Sequence, residues 1–125
     1  MAGSKGDKYY DVFLDYALWL KTIENKKILN QDGFILLIWI KNLGSIKLAA
    51  NEIQISYRKA WNLINKSEKI LGFKLVIKHR GGKNGGHTGL SPEGENLVNA
   101  YSDLKSDINS SIKKVTKKFF HRLNQ

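Results

Sequence analysis

The residues best equipped for chemistry in this chain sit between Ser56 and Lys66. Arg58 carries a planar fork of donors that matches the O6 and N7 edge of guanine. Asn62 can donate to and accept from the N7 and N6 edge of adenine. Tyr57, Ser56 and Lys59 can bond either a base or a phosphate, and Lys66 continues the same series. Asn62 and Lys66 follow Arg58 and Lys59 at steps of three and four residues, which places these four side chains on one face of a helix. The competing reading of such a face is ordinary solvation. Further along, Arg80, Lys83, Asn84 and His87 fall in and around a glycine-rich stretch, where basic groups and backbone amides can meet phosphates.

Other chemistries find less support. Gly81, Gly86, His87 and Thr88 come within one residue of a phosphate-cradling P-loop, but His87 stands where the motif needs lysine. No helix start follows directly, so the helix-terminus contribution is missing too. His79, His87 and His121 form no recognisable ligand set, although His79 and His87 could approach one another across a hairpin. No metal or cofactor is expected. No serine, histidine and acid arrangement suggests nucleophilic catalysis, so the chain is not read as an enzyme. The lysine cluster from Lys113 to Lys118 is the kind of run usually found on a solvated helix face.

The elements that would hold the donor face are legible in the caps. Ser45 is a good N-cap, and Ile46, Ala49, Ala50 and Ile53 follow at helical spacing. The run breaks at Gln54-Ile55, and Ser56 caps a second helix whose inward face is Ala60, Leu63, Ile64, Ser67 and Leu71. Gly72 is placed to stop it. Two short helices joined by a tight turn, the second with donors near its outward N-terminus, make a helix-turn-helix. Upstream, Asn30 caps an apolar run from Phe34 to Leu43, read as a buried helix with a buried strand as the competing assignment. Before it, residues 9–29 read as a helical or irregular lead and a hairpin turning at Glu24-Asn25-Lys26. After Gly72, a strand is expected from Phe73 to Arg80, with Leu75 and Ile77 on one face. A basic loop from Gly81 to Gly89 follows, with the return starting at Leu90.

Ser91-Pro92-Glu93 then opens a helix that nothing breaks until about Leu123. Its apolar positions are Leu97, Tyr101, Leu104, Ile108, Ile112, Val115 and Phe119, close to a heptad seam. A helix of this kind runs to about 45 Å, more than a domain this small covers. Its second half is therefore expected to pair with a second copy of the chain, against the simpler reading of a helix folded back on its own domain.

Gly44-Ser45-Ile46, Ala49-Ala50 and Ser56-Tyr57-Arg58-Lys59-Ala60-Trp61 resemble the DNA-binding domain of the ModE regulators, which respond to molybdate. They are more distantly similar to the LysR-type helix-turn-helix. Gly81-Gly82-Lys83-Asn84-Gly85-Gly86 and Leu90-Ser91-Pro92-Glu93-Gly94 resemble that family's glycine-rich wing and the helix after it. The likeness runs from Trp19 to about Tyr101. It implies a winged helix-turn-helix over residues 9–91, mostly α with small β hairpins. Residues 92–125 would be a long dimerisation helix, and residues 1–8 a disordered or appended start. The implied DNA contacts are Ser45, Ser56, Tyr57, Arg58, Lys59, Asn62, Lys66, Arg80, Lys83, Asn84 and His87. In ModE regulators molybdate-binding domains follow this part. This chain stops at Gln125, so none is expected in it and molybdate sensing is not implied.

Totals agree. A length of 125 residues suits one domain with a modest core. The absence of cysteine excludes a disulfide scaffold and a thiolate metal site. The longest apolar run, seven residues from Phe34 to Ile40, is too short to cross a membrane, and no signal peptide is visible, so a cytoplasmic location is expected. The net charge of +10 divides into +1 for residues 1–55, +7 for 56–90 and +2 for 91–125. That focus is the footprint of a polyanion partner. The expectation is a stand-alone homodimer that binds an inverted repeat in double-stranded DNA and controls transcription. The alternatives are a module pairing with another regulator through its last helix, or a nonspecific nucleic-acid binder.

Overall fold

The computed structural model describes residues 8–79 and 87–125. The contacts expected at Arg80, Lys83 and Asn84 lie outside these residues. The described elements are β1 (Trp19–Lys21), β2 (Lys27–Asn30), α1 (Gln31–Leu43), α2 (Ile46–Glu52), α3 (Tyr57–Leu71), β3 (Val76–His79), β4 (His87–Leu90) and α4 (Pro92–Leu123). The architecture is a winged helix-turn-helix with two small antiparallel hairpins and a long last helix. It divides into one unit of residues 17–101 and another that includes residues 8–16 and 102–125.

In the larger unit, β1 and β2 turn through Asn25, at φ 69°. Asparagine tolerates this left-handed conformation better than most residues. The pairing sets Leu20 opposite Leu29, with an irregularity after Leu20. β2 runs into α1 without a linker, because Asn30 ends the strand and its side chain accepts from the Gly33 amide at 2.9 Å. The helical assignment of the apolar run is the one observed. Phe34, Leu36, Leu37 and Ile40 are buried, and Gly44 closes the helix at φ 69°, its amide bonded to the Ile40 carbonyl. The carbonyl of Gly44 accepts from Thr88 of β4 at 2.9 Å.

Both helices of the helix-turn-helix start where their serines placed them. Ser45 Oγ accepts from the Leu48 amide at 3.1 Å and Ser56 Oγ from the Lys59 amide at 3.0 Å. Ala49, Ala50 and Ala60 are buried, the small side chains that let α1, α2 and α3 come close. Ser67 donates its hydroxyl to the Ile28 carbonyl and so ties α3 to β2. Glu68 is also buried, which the expected inward face of α3 did not include.

The wing departs from expectation at both roots. β3 starts at Val76, not Phe73, and Leu75 and Val76 are both buried where strand alternation would expose one of them. The reason is the Glu68 carboxylate, which accepts from the amides of Leu75 at 2.7 Å and Val76 at 3.2 Å. Leu75 therefore precedes the ladder. Its carbonyl accepts from the Ser91 amide at 2.9 Å. On the other side β4 starts at His87, three residues before Leu90. The register pairs Val76 with Leu90, Ile77 with Gly89, Lys78 with Thr88 and His79 with His87.

α4 begins as its Ser-Pro-Glu sequence predicts. Ser91 Oγ accepts from the Gly94 amide at 2.9 Å and donates to the Lys74 carbonyl at 2.6 Å. Val98 and Tyr101 are buried, and the Tyr101 ring stacks on Phe34 with centroids 3.8 Å apart. In the second unit, residues 8–11 form a turn rather than a helix. The Tyr16 hydroxyl donates to Asn109, and Thr116 and Phe120 are the buried positions of this stretch of α4.

Candidate nucleic-acid interface

A helix presents a usable face to a duplex only if its own core side holds it still. α3 meets that condition through Ala60, Ile64, Ser67 and Glu68 inside, a serine cap at one end and Gly72, at φ 86°, at the other. Outside, Tyr57, Arg58, Lys59, Asn62 and Lys66 are all exposed, as are Asn65 and Lys69. α3 carries four basic residues and one acid, and the acid is Glu68, turned inward onto the Leu75 and Val76 amides. The solvent face of α3 is therefore positive without an opposing carboxylate of its own.

Trp61 is half-buried and joins this face to the wing. Tyr57 meets it edge-on, with centroids 6.3 Å apart at 89°. From β3, Lys78 places its ammonium 5.6 Å from the Trp61 ring centre, within cation–π range. Lys78 is the residue that sequence reasoning missed. Strand alternation sets it on the face opposite Ile77, and its role depends on which helix that strand lies beside. A lysine at even spacing in the strand after a tryptophan-bearing helix was the only available signal.

The other expected contacts separate. Ser45 and Ser56 use their hydroxyl oxygens as cap acceptors. His87 is exposed but is a ladder residue, not part of a loop tip: its ring stacks on His79 with centroids 4.7 Å apart at 24°. Its Cβ lies 3.6 Å from where a Cβ on Gly44 would be. Along α4, Leu104, Val115 and Phe119 are exposed, while Leu97, Ile108 and Ile112 are half-buried. Tyr101 is occupied inside its own chain by Phe34. Among the described residues no group of three His, Cys, Asp or Glu side chains converges as metal ligands. No helix among them is long and apolar enough to cross a membrane.

No family model matches the sequence. Individual relatives do. The chain is 37% identical over 73 residues to the molybdenum-pterin-binding protein MopB of Rhodobacter capsulatus, a match covering 58% of this chain and 27% of the relative. It is 39% identical over 66 residues to the transcriptional regulator ModE of Haemophilus influenzae, covering 53% and 26%. It is 38% identical over 65 residues to the DNA-binding transcriptional dual regulator ModE of Escherichia coli K12, covering 52% and 24%. The match spans about a quarter of the length of each of these relatives. The matched region is ModE-like, as its motifs implied.

Proposed function

We propose that this ModE-like chain is a transcriptional regulator that binds a specific site in double-stranded DNA as a homodimer. The observation that carries the reading is the capped, core-anchored α3, which presents Tyr57, Arg58, Lys59 and Asn62 to solvent with no acid among them. In this reading the N-terminal half of α3 enters the major groove. Arg58 and Asn62 meet base edges, and Tyr57 and Lys59 reach base or phosphate. Lys78 extends the positive surface from the wing side, next to Trp61. ModE relatives named as transcriptional regulators support the same assignment.

Homodimerisation draws its support from α4, where Leu104, Val115 and Phe119 leave an apolar line exposed. Two copies joined there would present two α3 helices to successive major grooves. The operator would be an inverted repeat with half-sites one or two turns apart.

Selection of sites from a random duplex pool, with the enriched duplexes retested by fluorescence anisotropy across a salt series, tests this. The expected result is an enriched inverted repeat bound at least ~10³-fold tighter than random DNA. Affinity that falls equally on all sequences as salt rises, with no enriched motif, would reduce the protein to a nonspecific binder. No binding even at low salt would shift the role to pairing with another protein.

A further inference from the structure

The root of the wing carries a feature that DNA reading does not use. His79 and His87 are the paired residues of the described ladder that flank residues 80–86. Side chains of directly opposed residues project from the same face of a sheet, with Cβ atoms about 5 Å apart. Here both rings are exposed and lie nearly parallel, with centroids 4.7 Å apart. Two surroundings keep the rings accessible. Gly89, next along that face of β4, has no side chain, so the His79 Nε2 lies only 3.6 Å from where a Cβ would be. His87 lies over Gly44, which is equally bare. Lys78 and Thr88, on the opposite face, turn away, with Lys78 engaged over Trp61.

We infer that His79 and His87 form a two-imidazole site for a divalent transition ion of the zinc or copper(II) type. The donor set fits that class, because imidazole nitrogen suits these ions while magnesium and calcium take oxygen ligands. Both rings are exposed, so rotation about their side-chain torsions brings one nitrogen of each onto a common ion. No third ligand residue of the His, Cys, Asp or Glu type converges among the described residues. The site is therefore open, with water or an external oxygen donor completing the coordination. It binds weakly beside a closed four-ligand site. An ion held there fastens β3 to β4 and stabilises the paired state of the hairpin by linkage.

The test is titration of the full chain, without a histidine tag, with zinc chloride and with copper(II) chloride. It is followed by calorimetry and by the NMR signals of the three imidazoles, with far-UV circular dichroism to confirm folding of each variant. One equivalent is expected to move the His79 and His87 signals together and leave His121 unmoved. His79→Gln and His87→Gln should each weaken binding at least ten-fold, and His121→Gln should leave it unchanged. Binding that survives both wing variants, equal weakening by all three, or no saturable binding at millimolar metal would overturn the assignment. None of these readouts involves DNA, so the outcome is independent of the regulator reading.

Discussion

Glu68 shows how much one side chain can organise. It is the only acid of α3, and burial removes it from the face offered to DNA. Its carboxylate satisfies two buried amides that the strand ladder does not reach. Glu68→Ala would strand both donors, and it is expected to cost about 2–4 kcal/mol in urea denaturation. Lys74→Ala, which removes the exposed end of the Glu68 ion pair, should cost less than about 1 kcal/mol. Gly94 makes the opposite kind of demand. An added Cβ would lie 2.3 Å from the Leu75 carbonyl oxygen. The helix propensity of alanine favours the change by about 1 kcal/mol, but backbone displacement of this kind costs about 1–3 kcal/mol. Gly94→Ala should therefore lower the melting temperature, and a rise would show that α4 can move away from Leu75 freely. On the recognition face, Arg58→Ala should reduce discrimination between selected and random duplexes more than Lys78→Ala does. Lys78→Ala should weaken both by a similar factor. Equal loss of discrimination in the two variants would break that division of labour.

At the scale of elements, the turn between α2 and α3 holds a residue in a conformation it does not favour. Gln54 sits at φ 60°, where a side chain costs about 1 kcal/mol or more. Gln54→Gly is expected to stabilise the fold by about 0.5–1 kcal/mol, read by thermal or urea unfolding. The elements themselves were largely legible. Asn30, Ser45, Ser56 and Ser91 each cap a helix through the amide three residues on, so the signal and its effect share one short stretch of sequence. The outward donors of α3 were legible for the same reason, as helical spacing fixes which side chains share a face. What escaped was long-range. Glu68 carries no local signal of its role, because its partners lie seven and eight residues on and past the end of the helix. The strand alternation failed at Leu75 for that cause. Lys78 gained its meaning only beside Trp61, and the Tyr101 ring stacks on Phe34, far away in sequence.

For the whole molecule the governing quantity is charge placement. With +7 concentrated in residues 56–90, affinity for any duplex should fall steeply with salt. On a logarithmic plot the slope is about −0.9 for each phosphate neutralised. If α4 carries the dimer, Leu104→Glu and Phe119→Glu should convert the sedimenting species to monomer while leaving circular dichroism unchanged, since both side chains are exposed. Persistence of a dimer in the double variant would place the interface elsewhere. One further consequence lies in the tie between α3 and the wing. The Leu75 and Val76 amides are buried, bonded to a carboxylate on another element, and next to the carbonyls that hold Ser91. No local fraying of a strand end exposes them, because α3, β3 and the start of α4 must part together. In heavy water these two protons should be among the last to exchange, at the rate of global opening. The root of the wing should then open no faster than the domain itself comes apart.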